Sequence, residues 1–393
     1  PELPLQAHSS LEIRQPLRLI PRWTRLGFAA RRNFIYHGDN PAQERPPVSS
    51  VTHLHPDLAG FSRDIQPRNL NPLWERTQRM QPGSACVPAH WRYADTRPLL
   101  ARATELISTR DAERRVLVLE NPALRGSYQI TQSLFSGLQI ILPGEIAPSH
   151  RHTPNALRFI IEGEGAYTTV DGERTPMLPG DFVLTPNWMW HDHGNLGNGP
   201  VVWLDGLDTP IAQLFGAIFR ENHPQESQPV ARETGDAAAR YGANLLPVDY
   251  RPADSRTPLL RYPYARTLEA LEQLAKSAPP HAAHGYKLRY INPATGGHVF
   301  PTMAAFMQRL PQGFNGRGAR STDGAIYTVV EGSGTAHVGD AAFDFAPHDV
   351  FVVPPWQPLR FVATSACVLF SFSDRAAQEA LGFWREQLEA DAV

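Results

Sequence analysis

Short apolar runs separated by polar, glycine-containing turns fill much of the chain after residue 115. Five such runs in its first half are rich in β-branched and aromatic residues and span 116–119, 138–142, 157–161, 166–170 and 181–185. The turns between them carry Pro-Gly, Glu-Gly or Asp-Gly pairs, which are typical of tight connections between strands. Many short strands with regular turns predict an all-β fold, either a barrel or a sandwich.

Helical periodicity is confined to a few segments around these strands. Apolar residues recur at helical spacing in 72–80, 98–107 and 266–275. Pro98 opens the second segment, and the first helical position is one that proline favours. We expect these segments to be short accessory helices. A second series of strand-like runs begins near Ala304, beyond the third helix.

The two strand series look like copies of one unit. Sequence 159–167 (FIIEGEGAY) matches 328–336 (TVVEGSGTA), and 180–188 (GDFVLTPNW) matches 348–356 (HDVFVVPPW), at a nearly constant offset. Chance poorly explains one offset shared by two separate motifs, so we infer a duplication. The Glu-Gly-x-Gly turn in both copies indicates a connection that requires positive φ.

Composition and charge exclude several classes of function. A chain of 393 residues can bury two separate cores. The net charge is -2 and both signs are mixed along the chain, which argues against a nucleic-acid partner. No apolar run approaches the roughly 18 residues of a membrane helix. The two cysteines, Cys86 and Cys367, match no disulfide or metal spacing, so we expect a cytoplasmic protein.

Three histidines carry the clearest chemical signal in the first copy. His150 and His152 stand two apart in a strand-like segment, so their side chains share a face. His191 ends the run 181–191, which we predict to be a neighbouring strand. Three neutral imidazoles leave open positions on a divalent metal and suit Fe(II), Mn(II), Ni(II) or Zn(II) about equally. The sequence therefore predicts a three-histidine metal site.

These motifs resemble a known family. Segments 143–152 (PGEIAPSHRH) and 180–191 (GDFVLTPNWMWH) resemble the two cupin motifs, while 113–122 (ERRVLVLENP), 157–167 and 203–208 (WLDGLD) are similar to gentisate 1,2-dioxygenases. The resemblance extends from about Leu70 to the C terminus. It implies a bicupin, that is, two double-stranded β-helix (jelly-roll) barrels. It also implies one Fe(II) bound by His150, His152 and His191, and a homotetramer.

The residues that follow the His-x-His motif depart from the general cupin pattern. Many cupins carry a glutamate ligand there, whereas this chain has Ala156, Leu157 and Arg158. Without a carboxylate ligand the +2 charge of the metal lacks compensation, which favours an anionic, chelating substrate. Arg158 is suited to bind a substrate carboxylate, and the alternative is a surface arginine paired with a glutamate.

The resemblance implies further substrate contacts. These are Arg114, Gln139, His193 and Asp205 in addition to Arg158, with catalytic roles for His193 and Arg158. Each has a structural alternative, namely a peripheral ion pair for Arg114, a satisfied buried group for Gln139 and a turn cap for Asp205. Phe135 stands where relatives carry tyrosine or tryptophan, which removes a polar group from that position.

The second copy lacks the metal ligands. Alignment of the turns places Ala319 and Ser321 at the positions of His150 and His152, and Leu359 at that of His191. We therefore expect one metal per chain. The predicted domains are an N-terminal extension (1–66) that is poorly ordered, a metal-binding cupin domain (67–230), a linker with a helix (231–300) and a metal-free cupin domain (301–393).

Two classes of function fit these observations. The first is an Fe(II)-dependent, ring-cleaving dioxygenase that converts gentisate and O2 to maleylpyruvate, with salicylate or 1-hydroxy-2-naphthoate as alternative substrates. The second is a non-redox cupin, either a metal-dependent isomerase or a binding module. Oxygen consumption in the presence of an aromatic acid distinguishes the two.

Overall fold

The computed structural model describes residues 55, 57–76, 79–251 and 256–389. Most of the predicted extension, residues 1–54, therefore lies outside the described residues. Its last part forms a helix, Leu58–Ile65, that the sequence pattern did not indicate. Among the helices of the described ranges, none is long and apolar enough to span a membrane.

Helices are few and short. The α-helices α1 to α7 are Leu58–Ile65, Tyr93–Leu106, Thr109–Ala112, Thr209–Leu214, Asp236–Tyr241, Tyr264–Ser277 and Arg375–Ala380. Two 3-10 turns, Gln66–Arg68 and Leu73–Glu75, lie near the start of the described chain.

Strands make up most of the regular secondary structure, as the sequence pattern predicts. Strands β1 to β11 are Ala89–Trp91, Val116–Val118, Phe135–Ile141, Ile146–His152, Ala156–Glu162, Ala166–Val170, Glu173–Pro176, Phe182–Thr185, His191–Asn195, Val201–Leu207 and Arg220–Asn222. Strands β12 to β22 are Arg261–Tyr262, Tyr286–Arg289, Ala304–Leu310, Ala319–Ser321, Ala325–Glu331, Gly334–Val338, Ala341–Phe345, Val350–Val353, Leu359–Ala363, Cys367–Ser373 and Glu386–Leu388.

The strands form two barrels of the same construction. In the first barrel, a six-stranded sheet in the order β12-β8-β5-β10-β3-β2 faces a five-stranded sheet in the order β11-β4-β9-β6-β7. In the second barrel, the corresponding orders are β1-β19-β16-β21-β14-β13 and β22-β15-β20-β17-β18. Each strand of one barrel has a counterpart in the other, so the duplication inferred from the sequence extends to the whole topology.

The backbone of the turns is also duplicated. Gly163 and Gly332 of the two Glu-Gly turns have φ of 89° and 83°, as the turn chemistry predicts. Trp188 and Trp356 adopt φ of 61° and 66° at matching positions, although neither is glycine. The shared left-handed positions indicate that both copies retain one chain path around the barrel.

The two barrels exchange their outermost strands. Strand β1 precedes the first barrel in sequence but pairs with β19 of the second, and Ala89 lies opposite Val352. Strand β12 precedes the second barrel but pairs with β8 of the first, and Arg261 lies opposite Val183. Each barrel is therefore completed by a segment that lies next to the other barrel in sequence.

Alternate residues of the six-stranded sheets face different environments. One face of each sheet contributes to a single core between the barrels, where Phe159 stacks on Phe370 with ring centroids 4.4 Å apart. The other face lines the interior of its own barrel, which is called the lumen below. Because successive side chains of a strand point to opposite faces, one set packs in the core that joins the barrels and the other set lines the two lumens.

Two of the three predicted helices are present. Segment 266–275 lies within α6, and most of 98–107 lies within α2. Helix α2 nevertheless begins five residues before Pro98, because the Asp349 carboxylate of the second barrel accepts a hydrogen bond from the Tyr93 amide at 2.7 Å. The prediction of a helix over 72–80 is wrong. In the described residues 72–76 and 79–80 of this segment, a 3-10 turn forms instead, and its Leu73 and Trp74 side chains are mostly exposed, so no buried face there stabilises a longer helix.

The predicted strand over 181–191 is interrupted. Strand β8 ends at Thr185, and the chain turns through Pro186 and the left-handed Trp188 before β9 begins at His191. Proline lacks the amide hydrogen that a continuing ladder needs. His191 therefore opens the following strand instead of ending the preceding one.

Candidate metal centre

Two paired strands bring the three predicted histidines together. His150 and His152 lie on β4, and His191 is directly opposite His150 on β9. A register shift between Ala147 and His150 widens β4 just before the ligand pair. The imidazole centroids are 4.4 Å apart for His150 and His191, 4.8 Å for His152 and His191, and 5.3 Å for His150 and His152.

The ring nitrogens of this triad are close enough to share one metal ion. One ligand atom from each histidine lies within 4.8 Å of the other two. Among the His, Cys, Asp and Glu side chains of the described ranges, these three histidines are the group with that geometry. The group contains no carboxylate. The absence of a glutamate ligand, predicted from the sequence, is therefore matched in three dimensions.

Backbone carbonyls orient the imidazoles toward a common point. The Nδ1 of His152 lies 2.8 Å from the Pro154 carbonyl, and that of His191 lies 3.0 Å from the Met189 carbonyl. An Nδ1–H donated to a carbonyl leaves Nε2 with a free lone pair, which is the form that binds metals. The Nε2 of His191 is buried and has no hydrogen-bond partner in the structure. The donor set therefore fits a divalent metal.

His150 shares its Nδ1 environment with an arginine. This nitrogen is 3.2 Å from the Pro148 carbonyl and 2.8 Å from Nη2 of Arg114, which itself donates to Pro148 at 2.8 Å. A guanidinium only donates hydrogen bonds, so it cannot remain at that distance from a protonated Nδ1. Ligation through Nε2 of His150 therefore requires Arg114 to turn away from the ring.

Burial keeps the ligand imidazoles neutral. It lowers the pKa of His152 to about 4 and that of His150 to about 2, and it holds the pKa of His191 well below the usual value. The neighbouring guanidinium of Arg114 adds to the shift at His150 by repulsion. Because only a neutral imidazole binds a metal, the triad is ready to coordinate at neutral pH.

The opposite sheet of the lumen places charged groups against the triad. Arg158 on β5 lies across from Asp205 on β10, and its Nε is 3.5 Å from the Asp205 carboxylate. Nη1 of Arg158 donates to the Thr185 hydroxyl at 2.6 Å, whereas its Nε has no hydrogen-bond partner. Both Arg158 and Asp205 are buried, so the alternative of a surface arginine paired with a glutamate is wrong.

A carboxylate and an indole complete this polar cluster. The Trp203 indole donates to Asp205 at 3.0 Å. Burial raises the pKa of Asp205 to about 6, although Arg158 opposes that shift. Burial also lowers the pKa of Arg114 to about 9, and repulsion by Arg158 contributes. At neutral pH both guanidinium groups remain charged, so the lumen carries excess positive charge beside the triad.

His193 lies two residues beyond His191 on the same face of β9. Its ring centroid is 5.9 Å from that of His191 and 5.5 Å from the Trp203 ring. The side chain is fully buried, yet neither ring nitrogen has a hydrogen-bond partner. A neutral imidazole has one donor and one acceptor to satisfy, so this residue is available to a bound molecule.

The remaining predicted residues occupy the same lumen or its mouth. Gln139 is buried on β3 opposite Trp203, which places it on the lumen face. Phe135, at the start of the same strand, lines a cavity of about 570 Å³ with Tyr128, Leu207 and Gln213. The structure therefore groups Arg114, Arg158, Asp205 and His193 near the triad and places Phe135 further out.

Some groups of this site have no distinct sequence signal. The carbonyls of Pro154 and Met189 fix the imidazole tautomers, and backbone groups cannot be recognised from residue type. Thr185 supports Arg158 and Trp203 supports Asp205 through the hydrogen bonds described above. Trp203 and Asp205 stand two apart on β10, a spacing that places them on one face.

The register of the second barrel agrees with the alignment of the two copies. Ala319 on β15 lies opposite Leu359 on β20, in the register that His150 and His191 have in the first barrel. Ser321 follows on β15 at the position equivalent to His152. These side chains offer no metal-binding nitrogen.

Comparisons with known proteins agree with this geometry. Residues 137–206 match the model of the cupin domain. Gentisate 1,2 dioxygenase 1 from Aquipseudomonas alcaligenes is 47% identical over 329 residues, which cover 83% of this chain and 95% of that protein. The 1-hydroxy-2-naphthoate dioxygenase from Nocardioides sp. is 37% identical, with 85% of this chain and 88% of that protein covered.

A solved structure matches the whole described fold. The salicylate 1,2-dioxygenase from Pseudaminobacter salicylatoxidans superimposes with a TM-score of 0.79 at 32% identity, and the match covers 86% of this chain and 99% of that one. These relatives are oxygenases, which decides against a non-redox cupin. The chain belongs to the gentisate 1,2-dioxygenase family of bicupin, ring-cleaving enzymes, which insert both atoms of O2 into their substrate.

Proposed function

We propose that this enzyme is an Fe(II)-dependent dioxygenase that cleaves gentisate between its carboxyl-bearing and adjacent hydroxyl-bearing carbons and forms maleylpyruvate. The observation that carries the proposal is the pairing of an all-histidine, carboxylate-free triad with a positively charged lumen wall. A site of this kind favours a substrate that brings its own negative charge. The similarity to gentisate 1,2-dioxygenases supports the same substrate class.

The charge of the site favours chelation by a hydroxylated aromatic acid. Three neutral imidazoles leave a divalent ion uncompensated, and a buried net charge is costly without a counter-ion. A carboxylate and an adjacent phenolate together supply that charge. Bound at the triad, Fe(II) would supply the redox chemistry that activates O2 and the Lewis acidity that holds the phenolate.

Arg158 is the residue that we assign to the substrate carboxylate. Its unpartnered Nε is a buried donor that a carboxylate oxygen would satisfy. Thr185 holds Nη1, and the Asp205 carboxylate lies 3.5 Å from the same Nε, so the guanidinium is oriented before the substrate arrives. A charge-assisted hydrogen bond in a buried site contributes about 1.5–3 kcal/mol.

Arg114 is also suited to bind the negatively charged carboxylate of the substrate. It must leave the Nδ1 of His150 when that residue binds the metal, and an anionic substrate offers its guanidinium a replacement acceptor. This movement would leave the Pro148 carbonyl to accept a hydrogen bond from the Nδ1–H of His150. Arg114 would then be free to pair with the substrate carboxylate.

His193 is suited to hold or transfer a proton at the hydroxyl groups of the substrate. Burial and the repulsion of nearby Arg158 lower its pKa well below the usual value, so the imidazole is neutral and can accept a proton. Its two unpartnered nitrogens allow one to donate and the other to accept a hydrogen bond. Gln139, on the lumen face, is a further candidate for a substrate contact.

Salicylate and 1-hydroxy-2-naphthoate are the alternative substrates. They share the carboxylate and adjacent hydroxyl but lack the second hydroxyl of gentisate. Phe135 favours them, because a phenylalanine in the cavity at the mouth of the lumen has no group that could hydrogen-bond that hydroxyl. Relatives named for each acid match this chain over most of its length.

Oxygen uptake by Fe(II)-loaded protein tests the proposal. The assay compares gentisate, salicylate and 1-hydroxy-2-naphthoate, and mass spectrometry identifies the ring-opened product. We expect the highest kcat/KM with gentisate and one O2 consumed per product. A higher kcat/KM with salicylate or with 1-hydroxy-2-naphthoate would show that this acid, and not gentisate, is the preferred substrate. Activity with Mn(II) but not with Fe(II) would overturn the metal assignment.

We further propose that the enzyme is a homotetramer, as the family resemblance implies, and that the chain divides at 67–230, 231–300 and 301–393. Exposed apolar side chains beside the first barrel, including Leu214, Phe215 and Phe219, would contribute to contacts between subunits. Sedimentation of the purified protein gives the subunit number directly. A monomer at micromolar concentration would contradict the proposal.

A further inference from the structure

The lumen of the second barrel is not completely filled. Its inner part is packed with apolar side chains, but its outer end encloses a cavity of about 90 Å³. This is several times the roughly 10–15 Å³ that one water molecule needs. The cavity lies where the first barrel has its metal centre, since Ala319 and Leu359 line it.

One lysine side chain projects into this cavity. The Nζ of Lys287 is 4.7 Å from the ring centroid of Phe306, 5.4 Å from that of Tyr327 and 3.4 Å from the Tyr327 hydroxyl. Within the described ranges, no carboxylate forms an ion pair with Lys287. The sequence contains only one other lysine, Lys276. A half-buried ammonium held by aromatic rings and lacking an acidic partner is suited to bind an anion.

The other cationic groups at the cavity are already engaged. The Arg320 guanidinium hydrogen-bonds the Gln387 side chain at 2.6 Å, and Arg375 pairs with Glu379 at 2.7 Å. Two acidic residues also line the cavity: Asp323 accepts a hydrogen bond from the Trp384 indole, and Glu386 is exposed to solvent. Among the described residues that line the cavity, Lys287 is therefore the cation that no acidic or amide side chain engages.

Buried polar atoms around Lys287 also lack partners. The Ser371 hydroxyl lines the cavity, is 1% exposed and makes no hydrogen bond. Ser371 lies between Phe306 and Tyr327 in the sheet and is the counterpart of Asp205. Gln308 lies opposite Lys287, and both atoms of its side-chain amide are buried and unpartnered. Such groups are uncommon in native folds unless a bound molecule satisfies them.

We propose that the lumen of the second barrel is a second, metal-free binding site for a small monocarboxylate with an apolar body no larger than one ring. The Lys287 ammonium pairs with the carboxylate, and the Ser371 hydroxyl donates to it. The apolar body lies against Ala319, Ala325 and Leu359 at the outer end. The proposal depends on neither the metal nor the substrate assigned above.

Reductive methylation with ¹³C-formaldehyde provides a direct test, because it labels both lysines and preserves their charge. Lys276, at the exposed end of α6, is the matched internal control, and a Lys276→Arg variant assigns its signal. Benzoate is the probe. We expect it to shift the Lys287 methyl resonance saturably and to leave that of Lys276 in place. A Lys287 signal that moves no more than the Lys276 signal would overturn the proposal.

Calorimetric titration of the anaerobic holoenzyme with benzoate gives the second measurement. Lys287→Met keeps most of the length of the side chain and removes its charge, and circular dichroism checks that the variant folds. We expect the number of benzoate sites to fall by one per chain, or the second Kd to weaken by about 10-fold or more. Lys276→Met should leave both values unchanged. Equal binding to the wild type and Lys287→Met, or equally tight binding of neutral benzamide, would contradict the assignment.

Discussion

The two lumens of this enzyme have the same strands in the same register but opposite contents. In the first, His150, His191 and His193 face Arg158 and Asp205. In the second, the equivalent positions hold Ala319, Leu359, Phe361, Tyr327 and Ser371. The fold therefore does not require histidine, arginine or aspartate at these positions, and the presence of these residues in the first barrel is explained by chemistry.

The difference also separates residues that stabilise the protein from residues that serve its reaction. Phe361 packs tightly within an aromatic cluster that includes Tyr327 and Phe351. His193, its counterpart, is equally buried but leaves two ring nitrogens without partners. Unsatisfied buried groups cost stability, so the first lumen sacrifices at His193 the stability that the second retains at Phe361.

The largest expected effect comes from removal of a metal ligand. Alanine at His150, His152 or His191 leaves two imidazoles, which seldom retain a catalytic divalent ion. We expect metal content and turnover to fall to background in each variant. His55→Ala, which changes an exposed histidine, is the control. Elemental analysis of the wild type should give about one metal per chain, whereas two tightly bound ions would contradict the difference between the lumens.

A matched pair of substitutions tests the division between stability and reaction. Phe361→Ala should lower the free energy of unfolding by about 3–5 kcal/mol, because it removes a fully buried ring from a packed cluster. His193→Ala should lower it less and should reduce kcat instead. Urea unfolding and oxygen uptake of both variants provide the comparison. An equal loss of stability in the two variants would show that His193 also acts as a packing residue.

Arg158→Ala should lower kcat/KM by roughly 10- to 150-fold, equivalent to a loss of about 1.5–3 kcal/mol of transition-state stabilisation. Metal content should stay the same. Arg158→Lys should restore part of the loss, since a point charge cannot reproduce the two-pronged geometry of a guanidinium. Arg240→Ala, which breaks an exposed pair with Asp236, is the control. A normal kcat/KM in Arg158→Ala would show that Arg158 serves as a structural partner of Asp205 and does not bind the substrate.

The smallest predicted effect concerns pH. The pKa of Asp205 is about 6 in the folded protein against an ordinary 3.8, so its stabilising contribution is greatest below pH 3.8 and is lost as the pH rises through 6. Asp205→Asn should therefore gain about 1–3 kcal/mol of stability relative to the wild type between pH 4 and pH 7. Ser371→Ala, at the equivalent position, should show no such trend. Urea unfolding of the metal-free wild type and variants at pH 4 and at pH 7 measures this difference in stability.

The duplicated strands and the triad were predictable because both depend on local pattern. Alternation and turn residues define strands, and two histidines two residues apart share a face whatever surrounds them. Strand β5 and helix α6 accordingly fall where the apolar periodicity places them. The loss of the ligands at Ala319 and Leu359 followed from the same alignment.

The features that escaped prediction depend on distant contacts. Helix α2 begins early because Asp349 of the other barrel holds its first amide, and no local signal reports that bond. The ion pair between Arg158 and Asp205 needs the register of β5 and β10, which sequence spacing alone does not give. The cavity beside Lys287 arises from several small side chains around one end of a barrel, each of which is ordinary by itself.

The exchange of β1 and β12 has a consequence for synthesis on the ribosome. Strand β1 is made long before its partner β19, and the first barrel lacks its outer strand until β12 emerges. The nascent first half therefore carries one unpaired strand and one open sheet edge while the rest is translated. Such edges invite association with other chains, so this enzyme should depend on chaperones more during translation than its finished fold suggests.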